Sequence, residues 1–473
     1  MADFSIILQS AQVRDLVQTN LLERSFKDAL FPNLMYRGEA APQQWPGNLG
    51  DTIIMSRAGL MKPKLRALQP GVDPTPSTYA VEQWDASIQQ WADTVDNHMP
   101  TSAVAAVDLF LRNAHQLGLA GGMTLNRLAR NQLFAAALSG WTTASAQSTA
   151  GQFVLHVNRL NGFTKARTPG LAGAAQVRFS PVSSANPLPI VAILDNGALH
   201  VTTVTGFTPT TLGDETGPGN LTIADAIPGG RTVNARAAVY ADDRTSIVRV
   251  GGGNSVDSLT ASVDILDMAA IRSAVARFRT QNVPAHADGL YHCHLDPTGE
   301  AHLFASHEFQ RLNTSLPDYV IYKTFAIGQL LGCAFFRNSE SPLPETVDSG
   351  TTGVFSQDDP FAGELYVGGV NTGAKVHRAL LTGQGGLFEY YLDKQKLLTE
   401  VGVNGKVGDF RITNNGIQVI MDRIGLVIRA PLDRLQQMVS TSYQFIGSWV
   451  APTDASNGDA ARYKRIQAIE FTE

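Results

Sequence analysis

The sequence holds little of what marks secreted or catalytic chains. Its 473 residues include two cysteines, Cys293 and Cys333. So few argue against a fold stapled by disulfides. Charged residues make up 17% of the chain, and 37 basic against 42 acidic side chains leave a net charge of −5. The basic patch or stripe of a nucleic-acid binder is missing. No run of about 20 apolar residues occurs, so no membrane span is expected. The opening MADFSIILQSAQVRD lacks a basic segment followed by an apolar one, which argues against a secretory signal and for a cytoplasm. There is no G-x-S-x-G elbow. At Gly405-Lys406, Glu400 and Val407 stand where a phosphate loop needs Gly and Ser or Thr. GQGG at 383–386 is a turn signal with no Rossmann pattern beside it.

What the chain does have is a concentration of histidine. His286, His292, His294, His302 and His307 are half of its ten histidines. Four of them, with Cys293, fall in YHCHLDPTGEAHLFASHEF at 291–309. His307-Glu308 begins the zinc-protease pattern H-E-x-x-H, but Arg311 replaces the second histidine. Gly289–Leu295 reads as a strand running into an Asp296-Pro297 turn. Alternation then puts His292 and His294 on one face and Cys293 on the other. Glu300–Leu312 reads as a helix, on which His302 and His307 lie about 140° apart. A closed zinc site needs four convergent ligands. The remaining metal arrangement is His292 and His294 with His302 or His307; the plainer reading is packing and surface.

Along the chain, a helical stripe (Val13, Val17, Leu21, Leu22, Phe26) lies within 11–29 and is followed by a Pro/Gly-rich stretch. GDTIIMSRAGL and YAVEQWDASIQQWADTVDN flank a proline-punctuated tip, so 49–98 reads as a long hairpin without a core of its own, which usually packs on something else. Lys62, Lys64 and Arg66 at its tip are solvated, or contact a neighbour. Residues 101–139 are helical, capped by Thr101 or Ser102. Gly118, Gly121 and Gly122 predict two helices, or one with a break near 117–122. Between 150 and 253 about seven short alternating strands suggest a small β-sandwich or barrel, inserted because a mixed pattern resumes beyond it. A helix is expected over 264–282, with Leu266, Ile271, Val275 and Phe278 on one face. Strands return over 408–471, with a polar helix near 432–439. DSGTTG at 348–353 matches one aspartic-protease loop, but that chemistry needs two carboxylates and only one such loop occurs.

This order of parts resembles the major capsid proteins of tailed bacteriophages, the Hong Kong 97-type fold. The resemblance is carried by GDTIIMSRAGL as the ascending strand of an extended loop and AHQLGLAGGMTLNRLARNQLFAAAL as a spine helix. It continues in LTASVDILDMAAIRSAVARFRTQNVPAHADGLYHCHLDPTGEAHLF as an axial-domain helix, strand and second helix, and in IGQLLGCAFFRNSESPLP as a later axial strand and loop. It implies an α+β fold. The parts would be an N-terminal arm (1–48), an extended loop (49–98), a peripheral domain with the spine helix (99–149), an inserted β domain (150–253), an axial domain (254–400) and return strands (401–473). It also implies a non-enzymatic protein that forms pentamers and hexamers of an icosahedral shell around double-stranded DNA. Such a protein resides in the virion after assembly in a bacterial cytoplasm. It works with separate scaffolding and portal proteins and with decoration proteins, without cofactor, catalytic residues or metal. The family's lysine–asparagine cross-link maps onto no pair here. Two other classes stay open on the residues alone. One is a metal-dependent hydrolase around His286–His307; the other is a carbohydrate-binding protein using 150–253, where Phe153, Phe163, Phe179, Phe207 and Tyr240 are the aromatics.

Overall fold

The computed structural model describes residues 35–46, 50–58, 81–98, 109–168, 178–241, 247–253, 258–307, 326–330, 332–338, 364–367, 370–392, 406–407, 410–413, 416–421, 423–429, 437–452 and 465–473. A few shorter pieces lie between them: 25–26, 28–29, 64–65, 67, 71–74, 309 and 340–342. Most of the 11–29 stripe, the 101–102 cap, the 348–353 loop and most of the 432–439 helix fall outside them; Met438 already belongs to a strand. The chain divides into two compact units. One comprises 1–53, 85–130 and 387–450; the other comprises 54–84, 131–386 and 451–473. Three helices recur below: α1 (Leu109–Ala137), α2 (Met268–Thr280) and α3 (Pro297–Ala305). Among the described residues no helix is long and apolar enough to cross a membrane.

The first unit is built on an eight-stranded sheet. Its order is Ala40–Gln44, Leu387–Tyr391, Met438–Val450, Ile424–Arg429, Gly416–Met421, Phe410–Thr413 and Lys406–Val407, and Gln89–His98 also pairs with Met438–Val450. Strict alternation explains the central strand: Val439, Thr441, Tyr443, Phe445 and Trp449 are buried, while their neighbours are less so. Leu387–Tyr391 lies in this sheet rather than with the 254–400 segment in which it was expected.

Helix α1 is continuous over 29 residues, so the break expected near 117–122 does not occur. Glycine costs a helix roughly 1 kcal/mol against alanine, but two of these glycines permit close packing. A Cβ on Gly118 would lie 2.6 Å from the Phe26 carbonyl oxygen, and one on Gly121 would lie 3.3 Å from the Tyr443 ring. Asn126 Oδ1, from the same helix, accepts the Tyr36 amide at 2.8 Å. Gly118→Val should therefore destabilise the protein by about 1–3 kcal/mol through overpacking. Gly38→Ala, at a site with nothing within 4 Å, should stay within about 0.5 kcal/mol of wild type. Urea denaturation of both variants checks this.

The second unit contains two larger sheets. One has six antiparallel strands in the order Trp141–Thr143, Ala238–Ala241, Leu188–Ile193, Leu199–Pro209, Gly219–Ile223 and Val154–Val157. Its outer strands meet: Ser145 N donates to His156 O at 2.9 Å, Asn158 N donates to Thr143 O at 3.0 Å, and Ala144 bridges Val157. The sheet thus closes into a small barrel filled by Leu155, Leu188, Ile190, Val204, Leu221 and Val239, among others. The limits differ from the expected 150–253. The barrel starts at Trp141, whose three-residue strand is too short to show alternation. Ile247–Arg249 pairs instead with the C-terminal strand of the next sheet.

That seven-stranded sheet runs Ile247–Arg249, Ile466–Thr472, Val370–Thr382, Tyr291–Leu295, Cys333–Arg337 and Ala326–Leu330, with Glu364–Val367 beside Val370–Thr382. Helices α2 and α3 pack on one face around Ile271, Phe278, Cys293, Leu303, Phe335 and Phe471. Helix α2 is shorter than the expected 264–282 because Asp267 caps it, accepting the Ala270 amide at 2.8 Å. A further two-stranded sheet, Thr52–Ala58 with Val81–Ser87, shares no strand pairing with these sheets.

Candidate functional site

The histidine-rich stretch centres on the strand Tyr291–Leu295. Alternation works here as the sequence predicts: Tyr291, Cys293 and Leu295 enter the helix-covered core. The Tyr291 hydroxyl donates to Val283 O at 2.8 Å. Burial pushes the Cys293 thiol well up, and Cys333 up to about 12, so neither is a ready thiolate. His292 and His294 share the opposite face, on either side of Phe336, with ring centroids 4.9 and 5.6 Å from it.

Asp296-Pro297 is not a free-standing turn before a helix at Glu300. Asp296 is an N-cap that accepts the Gly299 amide at 2.9 Å, and Pro297 opens α3 as its first residue. The same carboxylate meets His377 Nδ1 at 2.5 Å, and His377 Nε2 lies 3.8 Å from Glu473. His302, on α3, sits edge-on to Phe471 at 6.0 Å, beside His377. Burial, then the nearby His377, lowers its pKa.

The metal-hydrolase arrangement is therefore corrected. Helix α3 packs on the core face of the sheet, so His302 lies on the side opposite His292 and His294. His307 follows the end of the helix and is exposed. Among the described residues, His292 and His294 form no three-ligand group with either of them. The carbohydrate-binding reading fails on exposure. Phe153 is exposed, but Phe163 and Tyr240 are buried and Phe207 packs against the barrel interior. The Phe179 side chain lies outside the described residues. A sugar-stacking platform has one described aromatic to work with.

What the structure brings together unannounced is buried charge. Glu470 forms an ion pair with Arg249, whose Nε lies 2.8 Å from Oε2, and its Oε1 accepts Arg378 Nε at 3.0 Å. Arg378 also lies over the Trp141 ring at 4.9 Å, and Arg159 approaches the same ring at 5.5 Å. Burial, reinforced by Arg378 and opposed by Glu470, lowers Arg159 to about 9. In the first unit Arg37 grips Glu389 with two bonds, at 3.0 and 2.6 Å. The Arg378–Glu470 and Arg37–Glu389 partners are 92 and 352 residues apart in sequence, too far for any local pattern to pair them. Such sites hold sheets in register; none offers a nucleophile poised against a base.

The described residues of the 49–98 segment have a different character. Ile54, Leu65 and Val72 are exposed at 69%, 93% and 54%. Lys64 is exposed as well, while Lys62 and Arg66 lie outside the described residues.

No protein-family model matches the chain, and no curated protein matches it. Solved structures do. The chain is similar to the capsid of Ralstonia phage GP4, at 13% identity over 91% of this chain and 86% of that chain, with a TM-score of 0.44. It is also similar to the cyanophage Pam1 capsid, at 9% identity over 94% and 91%, with a TM-score of 0.46. A third likeness is the mature capsid of bacteriophage PhiM1, at 6% identity over 92% and 86%, with a TM-score of 0.41.

Proposed function

We propose that this chain is the major capsid protein of a tailed bacteriophage. Many copies of it would form pentamers and hexamers of an icosahedral head of the Hong Kong 97-type architecture. The observation that carries the reading is the two-stranded sheet Thr52–Ala58/Val81–Ser87, which pairs with none of the three larger sheets, in a segment whose Ile54, Leu65 and Val72 are exposed. In this reading it is the extended loop and lies over a neighbouring subunit. The arm, 1–48, ties adjacent capsomers. Helix α1 on the eight-stranded sheet is the spine of the peripheral domain. The seven-stranded sheet with α2 and α3 is the axial domain, through which the pentamers and hexamers form. The closed barrel is the inserted domain, available to decoration proteins or to contacts within a capsomer.

The protein is a container, not an enzyme. Its net charge of −5 suits a wall that encloses double-stranded DNA without gripping it, since grip requires basic side chains neutralising phosphates. Scaffolding and portal functions belong to separate proteins. Extended segments that order only against partners place the cost of ordering at assembly, which keeps the free subunit soluble. Native mass spectrometry of the purified chain tests the stoichiometry. Five- and six-fold multiples are expected; a monomer or dimer alone would contradict the reading.

A further inference from the structure

We propose that His286 and His292 are a ligand pair for a divalent transition-metal ion, on the face of the seven-stranded sheet opposite α2 and α3. The two imidazoles are stacked, with centroids 3.9 Å apart and planes 7° from parallel. Their coordinating nitrogens lie within 4.8 Å of each other. Two nitrogens bound to one zinc ion at about 2.0–2.1 Å are up to about 4 Å apart, and each lone pair lies in its ring plane, so binding turns the two rings out of their stack toward the ion.

The turn between them is built to hold this geometry. His286 N donates to Leu290 O at 3.0 Å, Gly289 N donates to His286 O at 2.9 Å, and Gly289 takes a φ of 81° that favours glycine. Leu290 N donates to Asp288 Oδ1 at 3.0 Å, and the other oxygen of that carboxylate lies 3.0 Å from His292 Nε2. The Asp288 carboxylate thus accepts from both the Leu290 amide and the His292 ring. His292 then donates through Nε2, which puts the lone pair of the neutral ring on Nδ1. A carboxylate on the far nitrogen of a ligating histidine is the arrangement that fixes tautomer and raises ligand basicity. His286 Nε2 lies 3.4 Å from Thr382 Oγ1 on the adjacent strand, and Phe336 steadies the His292 ring.

Imidazole pairs suit zinc, nickel and copper rather than magnesium or calcium. The ion's effect is to clip the 286–290 turn to its strand. The structural role is distinct from hydrolysis, and the site does not depend on the capsid reading.

The test is calorimetric titration of the full-length, chelator-treated chain with Zn²⁺. About one ion per chain is expected. His286→Gln and His292→Gln should each weaken binding at least about tenfold, and Asp288→Asn about tenfold through the lost orienting carboxylate. His302→Gln, on the opposite face, should bind like wild type. Circular dichroism of every variant separates loss of ligand from loss of fold. Absence of uptake by the folded wild-type chain, or uptake that survives both histidine substitutions, would overturn the proposal.

Discussion

Glu470→Ala should cost the protein about 3–5 kcal/mol, the usual penalty for leaving buried charge without its partner. The Glu470 side chain is 0% exposed, and those of Arg249 and Arg378 are 4% and 2% exposed. Both guanidiniums converge on one carboxylate, so its removal leaves two positive charges facing each other inside the sheet. Arg159, already lowered to about 9 by burial and by Arg378, adds to the repulsion. The strand Ile466–Thr472 carries Glu470 between Ile247–Arg249 and Val370–Thr382, so the damage falls where the edge strand joins the seven-stranded sheet. Glu470→Gln keeps the shape and one acceptor and should cost less than the alanine change. Urea denaturation of the unassembled subunit, followed by circular dichroism, measures both. A loss below about 1 kcal/mol for the alanine variant would mean that water solvates the guanidiniums and that the network is ornamental.

Deleting residues 58–78 should abolish stable shells while leaving the subunit folded. The described side chains in that stretch are exposed, including Leu65 at 93% and Val72 at 54%, so their removal uncovers no core. Burying one such side chain against a neighbour contributes roughly 1.5–3 kcal/mol, and every copy in a shell would lose the same contact. The expected result is an unchanged unfolding midpoint together with loss of particles in electron micrographs. Normal shells from the deletion would remove the extended-loop assignment.

How much of this was legible beforehand depends on the range of the interaction. The face of α2 could be read directly: Leu266, Ile271, Val275 and Phe278 are all buried. So could the split of Cys293 from His292 and His294, because a strand alternates whatever surrounds it. The strand within YQFIGSWVA was equally plain, since Tyr443, Phe445 and Trp449 all fall on one face of an alternating strand. Continuity of α1 was not legible, because Gly118 and Gly121 look like helix breakers until Phe26 and Tyr443 are in place against them. Asp296-Pro297 fits a turn and an N-cap equally well; the His377 contact and the start of α3 decide between them. Barrel closure rests on two backbone bonds, at Ser145 and Asn158, that follow no residue pattern.

The histidine stretch illustrates the same limit. Spacing alone grouped His292 with His294 and a helix histidine. Packing separates that set across the sheet and instead stacks His292 on His286, a residue from the preceding turn. A side chain six positions upstream, brought round by Gly289, is invisible to a strand-and-helix reading of 291–309.

The measurement closest to the central claim is cryo-electron microscopy of the chain purified after expression alone and with its neighbouring phage genes. The account predicts closed shells or rings of five and six, with Thr52–Ala58/Val81–Ser87 lying across an adjacent subunit. A dispersed monomer under both conditions, or particles in which that hairpin folds back on its own chain, would contradict it.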